Sequence, residues 1–298
     1  MLTEADATQL FRDPPLRHID VGAGEVAYRR VGRGPDVLFV HGWPVSGATF
    51  RTLLPRLAEH VTCHLVDLPG AGDSRFDDDT PISVAQHIVS LRRVADALEL
   101  EDFAVVGHDS GGMIARHAFA GDSRMRAMGL MNTEQPQGLT WRFRMFLMPS
   151  GLPGFGAMLG WALGQPRLRR HWLLLGESFV DRRLLDGEFD ELFLRPIYQD
   201  RRRRDAAVKF ARSFDERSLI RPLADLHAKM DVPVQLVWGA HDPFLPLSWA
   251  HEMVDSFPDA QLHVVRDASL FVHEERPEEV ANALLPVLLT ESRVAERA

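Results

Sequence analysis

Val106-Gly107-His108-Asp109-Ser110-Gly111-Gly112 stands between the apolar run 103–107 and a helix-patterned stretch over 111–120. Small residues two before and two after a central position, at a strand-to-helix junction, are the spacing of a nucleophile elbow. The turn is so sharp that side chains on either side of the apex have no room. Gly107 and Gly111 put Asp109 at that apex. Ser110 at the apex would need His108 in a small-residue position, so Asp109 is the expected nucleophile.

Working outward, apolar patterns of two periods alternate. RHIDVG (17–22), EVAYRRV (25–31) and DVLFV (36–40) read as strands, with Gly22–Gly24 and Gly32–Pro35 as turns. Phe50, Leu53, Leu54 and Leu57 share one helical face, and VTCHLVD (61–67) is strand again. A helix is expected over 83–98, capped by Ser83, and a strand over 125–132. Strands alternating with helices across short loops predict a mostly parallel sheet with right-handed crossovers. The rhythm stops over 135–225, a helix-like stretch rich in Leu, Phe and Trp. It resumes with strands over 232–239 and 260–266, a helix near 246–257, and a last helix from Pro277. The expected organisation is an α/β body, 1–134 plus 226–298, with a helical cap inserted over 135–225.

Composition narrows the function. At 298 residues, with 45% hydrophobic and 26% charged, the chain can bury a full core unaided. A single cysteine, Cys63, allows no internal disulfide and no thiolate metal cluster, which fits a cytoplasmic setting. No apolar run reaches the roughly 20 residues of a membrane helix, and the polar start MLTEADATQLFRDPP is not a secretory signal. A formal charge of −8 is a poor match to nucleic acid phosphates. That charge is unevenly split: residues 135–225 carry 15 Arg and 1 Lys against 11 acids, net +5, so the body is at −13. The run Arg201–Arg204 is either a solvated helix face paired with Asp200 and Asp205 or part of a positive lid that attracts anions. No motif implies a cofactor or a metal. The expected partner is a small-molecule substrate, and a homodimer is compatible with the composition.

His41-Gly42-Trp43-Pro44 follows the third strand, some 65 residues before the elbow. The backbone N–H groups of Trp43 and Ser110 are placed to hold a developing oxyanion. The succession HGWP, DLPGAGDS, GHDSGG, a helical insert, VWGAHDPFLP and FVHEERPEEV resembles the α/β-hydrolase fold family over about 25–285. The likeness is closest to its aspartate-nucleophile branch, the epoxide hydrolases and the haloalkane or haloacid dehalogenases. The resemblance implies a mostly parallel eight-stranded sheet with helices on both faces and an inserted helical cap. It also implies that Asp109 attacks an sp³ carbon to give an alkyl-enzyme ester, which a histidine oriented by a second acid then hydrolyses. Asp242, in the Asp-Pro-Phe-Leu-Pro context after the seventh strand, matches that acid. Glu134, after the sixth strand, is its rival.

The departure from the family pattern falls on the histidine. Anchored on Glu274-Glu275-Arg276-Pro277, the position of the base is Leu270, whose side chain can accept no proton. His273, three residues on, could substitute only through a shifted loop. Such a chain is expected to form the alkyl-enzyme and then stall.

The substrate motifs are also incomplete. Epoxide hydrolases of this family usually set two cap tyrosines on the epoxide oxygen; this cap has only Tyr198, with His171 a conceivable partner. Haloalkane dehalogenases usually carry Trp after the nucleophile, where this chain has Ser110. Fluoroacetate-type relatives carry Arg there and three residues on, where this chain has Ser110 and Met113. Trp141, Phe143, Phe146, Trp161 and Trp172 are candidates to line an apolar pocket, or simply core. The expected function is therefore epoxide-hydrolase-like with impaired hydrolysis. The alternatives are a dehalogenase-like enzyme and a silent ligand-binding homologue, with a serine esterase last.

Overall fold

In the computed structural model, which describes residues 2–291, eight strands form one sheet. They are β1 (Arg17–Asp20), β2 (Glu25–Gly32), β3 (Asp36–Val40), β4 (Thr62–Asp67), β5 (Phe103–His108), β6 (Met125–Met131), β7 (Val234–Gly239) and β8 (Ala260–Val265). Their order across the sheet is β1-β2-β4-β3-β5-β6-β7-β8. β2 runs antiparallel to both neighbours, and every other pairing is parallel. All residues of β4, β5 and β6 are buried, as central strands covered on both faces must be. The outermost strand β8 is mostly half-buried.

The sheet order carries the functional consequence. β4 lies on one side of β3 and β5 on the other, so the winding direction reverses between β3 and β5. Loops leaving the carboxyl ends of such a pair diverge and open a crevice, where open α/β sheets bind ligands. His41-Gly42-Trp43 leaves β3 there, and Asp109 leaves β5.

One element was not read from the sequence, and one expectation needed correction. The polar start holds a helix, Glu4–Arg12, closed by a capping box between Thr3 and Asp6 and burying Ala7, Thr8 and Phe11. With so few apolar positions its periodicity is too faint to read. The single helix expected through Phe50–Leu57 is a 3₁₀ turn, Gly47–Thr52, followed by a short helix Leu54–Leu57 with Pro55, a residue with no N–H to contribute, in its first turn.

Between β6 and β7 the chain is helical, including Trp141–Leu147, Phe155–Leu163 and Arg201–Arg212, with one isolated bridge between Gln135 and Gly138. The arginine run is tied down. Arg201 pairs with Asp205, Arg202 reaches Asp78 at 3.0 Å, and Arg203 donates to the Gly72 carbonyl. The last two contacts fasten the insertion to the body, whereas Arg201 pairs within its own helix. Among the described residues no helix is long and apolar enough to cross a membrane.

Candidate active site

Asp109 begins the helix Ser110–Phe119 directly off β5, with φ 51° and ψ −136°. A non-glycine residue rarely holds that conformation, which costs about 1–3 kcal/mol. The glycines around it explain why it can be held. A β-carbon on Gly107 would collide with Gly112, and one on Gly111 would collide with the Val40 and His41 carbonyls. The Asp109 carbonyl accepts from Thr133 Oγ1 at 2.8 Å, and its N–H donates to the Asn132 carbonyl at 3.0 Å. The elbow is fixed from both sides.

The side chain faces the carboxyl end of β3. Trp43 N–H donates to Asp109 Oδ2 at 2.8 Å, and the Ser110 N–H also bonds this carboxylate. The two amides expected to hold an oxyanion thus both meet the Asp109 carboxyl group. His41 supports the loop: its Nδ1–H donates to the Gly42 carbonyl at 2.8 Å while its Nε2 accepts from Leu68 N–H at 2.9 Å. Burial pushes the Asp109 carboxyl up to about 6, against the lowering effect of both amides.

A small cavity of about 60 Å³ opens on Asp109. Its wall is apolar, with Phe143, Phe146, Leu175, Phe210, Phe214 and Phe244 prominent, and Leu270 and Phe271 come from the loop after β8. Leu270 is buried and occupies this wall, while its carbonyl accepts from His108 Nε2–H at 2.9 Å. A second cavity, about 300 Å³, lies behind Trp43 and Pro44 and shares Ser110 and Phe210 with the first.

Two polar groups interrupt the apolar wall. Glu134 and Ser178 both line the cavity, and both have a buried oxygen, Oε1 and Oγ, without a hydrogen-bond partner among the described residues. The other oxygen of Glu134, Oε2, lies 3.1 Å from Thr133 Oγ1. That hydroxyl has one hydrogen, directed to the Asp109 carbonyl, and it accepts from Arg116 Nη2 at 2.8 Å. A proton on the Glu134 carboxyl satisfies the remaining contact. Burial first, and the Asp109 charge second, push Glu134 up to about 8. Sequence reading did not single out Ser178; a lone serine in a helical insert carries no signal of its neighbourhood.

Asp242 is buried and fully engaged. Oδ1 accepts from Phe244 and Leu245 N–H, closing the turn after β7, and Oδ2 accepts from Asn132 Nδ2 at 2.7 Å. Burial pushes it up to about 7. It does not line the cavity.

Four sequence-derived candidates lie elsewhere. His273 is buried against His108 (ring centroids 4.5 Å apart) and Phe50, with Nε2 2.7 Å from Thr49 Oγ1, so it is not placed to replace the base at Leu270. Burial holds it well below the usual histidine range. Tyr198 donates its hydroxyl to Asp190 Oδ2 at 3.3 Å and is absent from the cavity wall. Trp141 is 65% exposed, and His171 is exposed beside Trp172. All four sit outside the Asp109 cavity: Trp141 and His171 face solvent, and Tyr198 and His273 are held by other partners. Among the described residues no group of three His, Cys, Asp or Glu has metal-binding geometry.

Comparison with known proteins agrees with this architecture. A pimeloyl (acyl-carrier protein) methyl ester esterase of Xanthomonas campestris is 36% identical over 114 residues, 38% of this chain and 39% of the esterase. The chain therefore matches well under half the length of that curated relative. A haloalkane dehalogenase from Bradyrhizobium elkani superposes with a TM-score of 0.76 at 22% identity, covering 91% of this chain and 96% of the other. An epoxide hydrolase superposes at 0.75 and 19% identity, covering 91% and 97%. At such identities the two structures show the shared fold. The profile of the alpha/beta hydrolase family matches residues 37–283, and the chain belongs to that family.

Proposed function

We propose that this protein is an alkyl-accepting hydrolase homologue of the epoxide hydrolase and dehalogenase type, in which Asp109 forms an ester that is only slowly hydrolysed. The observation that carries the reading is the pinned carboxylate: Trp43 N–H on Asp109 Oδ2, at the apex of an elbow, inside an apolar cavity. A carboxylate is already ionised above about pH 6 here and needs no base to attack carbon. Removal from water strengthens it as a nucleophile.

In the step itself, an Asp109 oxygen forms a bond to an sp³ carbon while the carbon–oxygen bond of an epoxide, or a carbon–halogen bond, breaks with its electron pair. The opened epoxide oxygen then takes a proton from water. Tyr198 does not supply the contact to that oxygen, whereas the free Ser178 hydroxyl lines the cavity. This favours an epoxide over a halide, since no tryptophan follows Asp109. Residues 135–225 act in this reading as the cap over the site. Hydrolysis of the ester is impaired because Leu270 stands where the family carries its base, and Asp242 has no imidazole to orient.

Intact-protein mass after incubation with butylene oxide or bromobutane tests the reading. The expected result is a persistent mass increase of one alkyl group, absent in Asp109→Asn. No adduct and no turnover with either reagent would leave a ligand-binding homologue in its place.

A further inference from the structure

We propose that Glu134 is the base of this protein: with Leu270 at the histidine position, its carboxyl group meets the cavity directly and activates the water that hydrolyses the Asp109 ester. The inference rests on the alkyl-enzyme reading above and supplies the half-reaction that reading leaves slow. Three observations converge on Glu134. It shares the cavity wall with Asp109 and Leu270. Its Oε1 is buried with no hydrogen-bond partner among the described residues, an acceptor position left open for a water hydrogen. Its backbone is locked, because Arg116 Nη2 donates to the Glu134 carbonyl at 2.7 Å and to Thr133 Oγ1 at 2.8 Å.

The charges around it make the role conditional on the first step. Asp109 on the elbow and Arg116 on the following helix are the charged groups that act on Glu134. In the free protein the Asp109 carboxylate opposes a second negative charge, and Glu134 holds its proton. Alkylation turns Asp109 into a neutral ester. The repulsion disappears, the attraction of Arg116 remains, and Glu134 ionises more readily. Formation of the ester thereby prepares its own base.

The step balances. Glu134 carboxylate takes one proton from water as the oxygen attacks the Asp109 carbonyl carbon. The resulting oxyanion is held by the Trp43 and Ser110 amides. Collapse breaks the bond between the Asp109 carbonyl carbon and the alkyl oxygen, and the alcohol oxygen receives the proton from Glu134. Asp109 is left as the acid with the second water proton, which passes to Glu134 and restores the Asp109 carboxylate and the protonated Glu134.

Decay of the adduct, followed by mass after removal of excess butylene oxide or bromobutane, tests this across pH 5 to 9. In the native protein the rate should rise with pH and level off near or below pH 8. Glu134→Gln should form adduct yet lose about 100-fold in decay rate and its rise with pH. Glu134→Asp should restore part of the rate with the rise in pH retained. Circular dichroism and thermal unfolding of each variant separate loss of fold from loss of chemistry. Equal decay rates in native and Gln proteins, or a pH-independent native rate, overturns the proposal while leaving the alkyl-enzyme standing. Absence of any adduct overturns both.

Discussion

Trp43 N–H donates to Asp109 Oδ2 at 2.8 Å, so the loop leaving β3 holds one oxygen of the carboxylate that leaves β5. That oxygen is where negative charge would gather when the ester is attacked, and the other is left to meet carbon. Adduct formation should follow ionisation of Asp109. Its rate should increase with pH through about 6 and then level off, as read by adduct mass against time in a series of buffers.

Replacing the leucine should restore a relay that the fold otherwise preserves. Leu270→His places an imidazole on the cavity wall opposite Asp109, and adduct decay should accelerate by about 100-fold or more. The buried polar ring should cost about 1–3 kcal/mol of stability where it lacks a partner. Single-turnover decay and chemical denaturation measure the two effects separately. Unchanged decay in a folded variant would contradict Leu270 as the cause of the stall.

Ser178 carries an unpartnered hydroxyl inside an apolar cavity, an arrangement that weakens the fold if no ligand uses it. Ser178→Ala should raise stability by about 1 kcal/mol while slowing adduct formation from an epoxide by about tenfold. Bromobutane, which develops no oxygen, should be affected less. Tyr198→Phe, by contrast, should leave adduct formation unchanged, since that hydroxyl is bound to Asp190 outside the cavity.

Three buried carboxyl groups, Asp109, Asp242 and Glu134, are pushed up to about 6, 7 and 8. A carboxyl raised on folding contributes stability that is fully present below its unfolded value and is lost as pH rises through the folded one. Buried histidines held neutral by the fold act in the opposite sense below about pH 6.5, so the thermal unfolding temperature should fall between about pH 7 and pH 8, where the carboxyl ionisations act alone. Glu134→Gln removes the last of these ionisations, so its advantage over the native protein should grow above pH 7, by a few degrees in a melting scan.

Gly111 has no room for a side chain, because its β-carbon position overlaps the Val40 and His41 carbonyls. Gly111→Ala should cost about 3 kcal/mol or more, with loss of soluble protein as the first sign. Recovery of a normally stable variant would show that the elbow is looser than its geometry implies.

The alternation of apolar runs and helical stripes was sufficient to identify the sheet, the elbow and the insertion, because each is written in short-range spacing. Gly107, Asp109 and Gly111 lie within five residues, and a turn that tight admits only a few residue types. The reading of Leu270 as the place of the missing base came from the resemblance to a family pattern ending at Glu274-Glu275-Arg276-Pro277, and it stays a proposal. The faces of the insertion were not legible. Trp141 read as a pocket candidate among the insertion's aromatics, and Tyr198 through the resemblance to epoxide hydrolases, yet which way a helix turns depends on what it packs against, and here solvent and Asp190 claim those faces. Only the tertiary structure decided that Glu134 and Ser178 share one dry cavity with Asp109. Chemistry between residues 25 and 69 positions apart depends on the sheet order that folds β5, β6 and the insertion around a common point, and no local pattern records that distance.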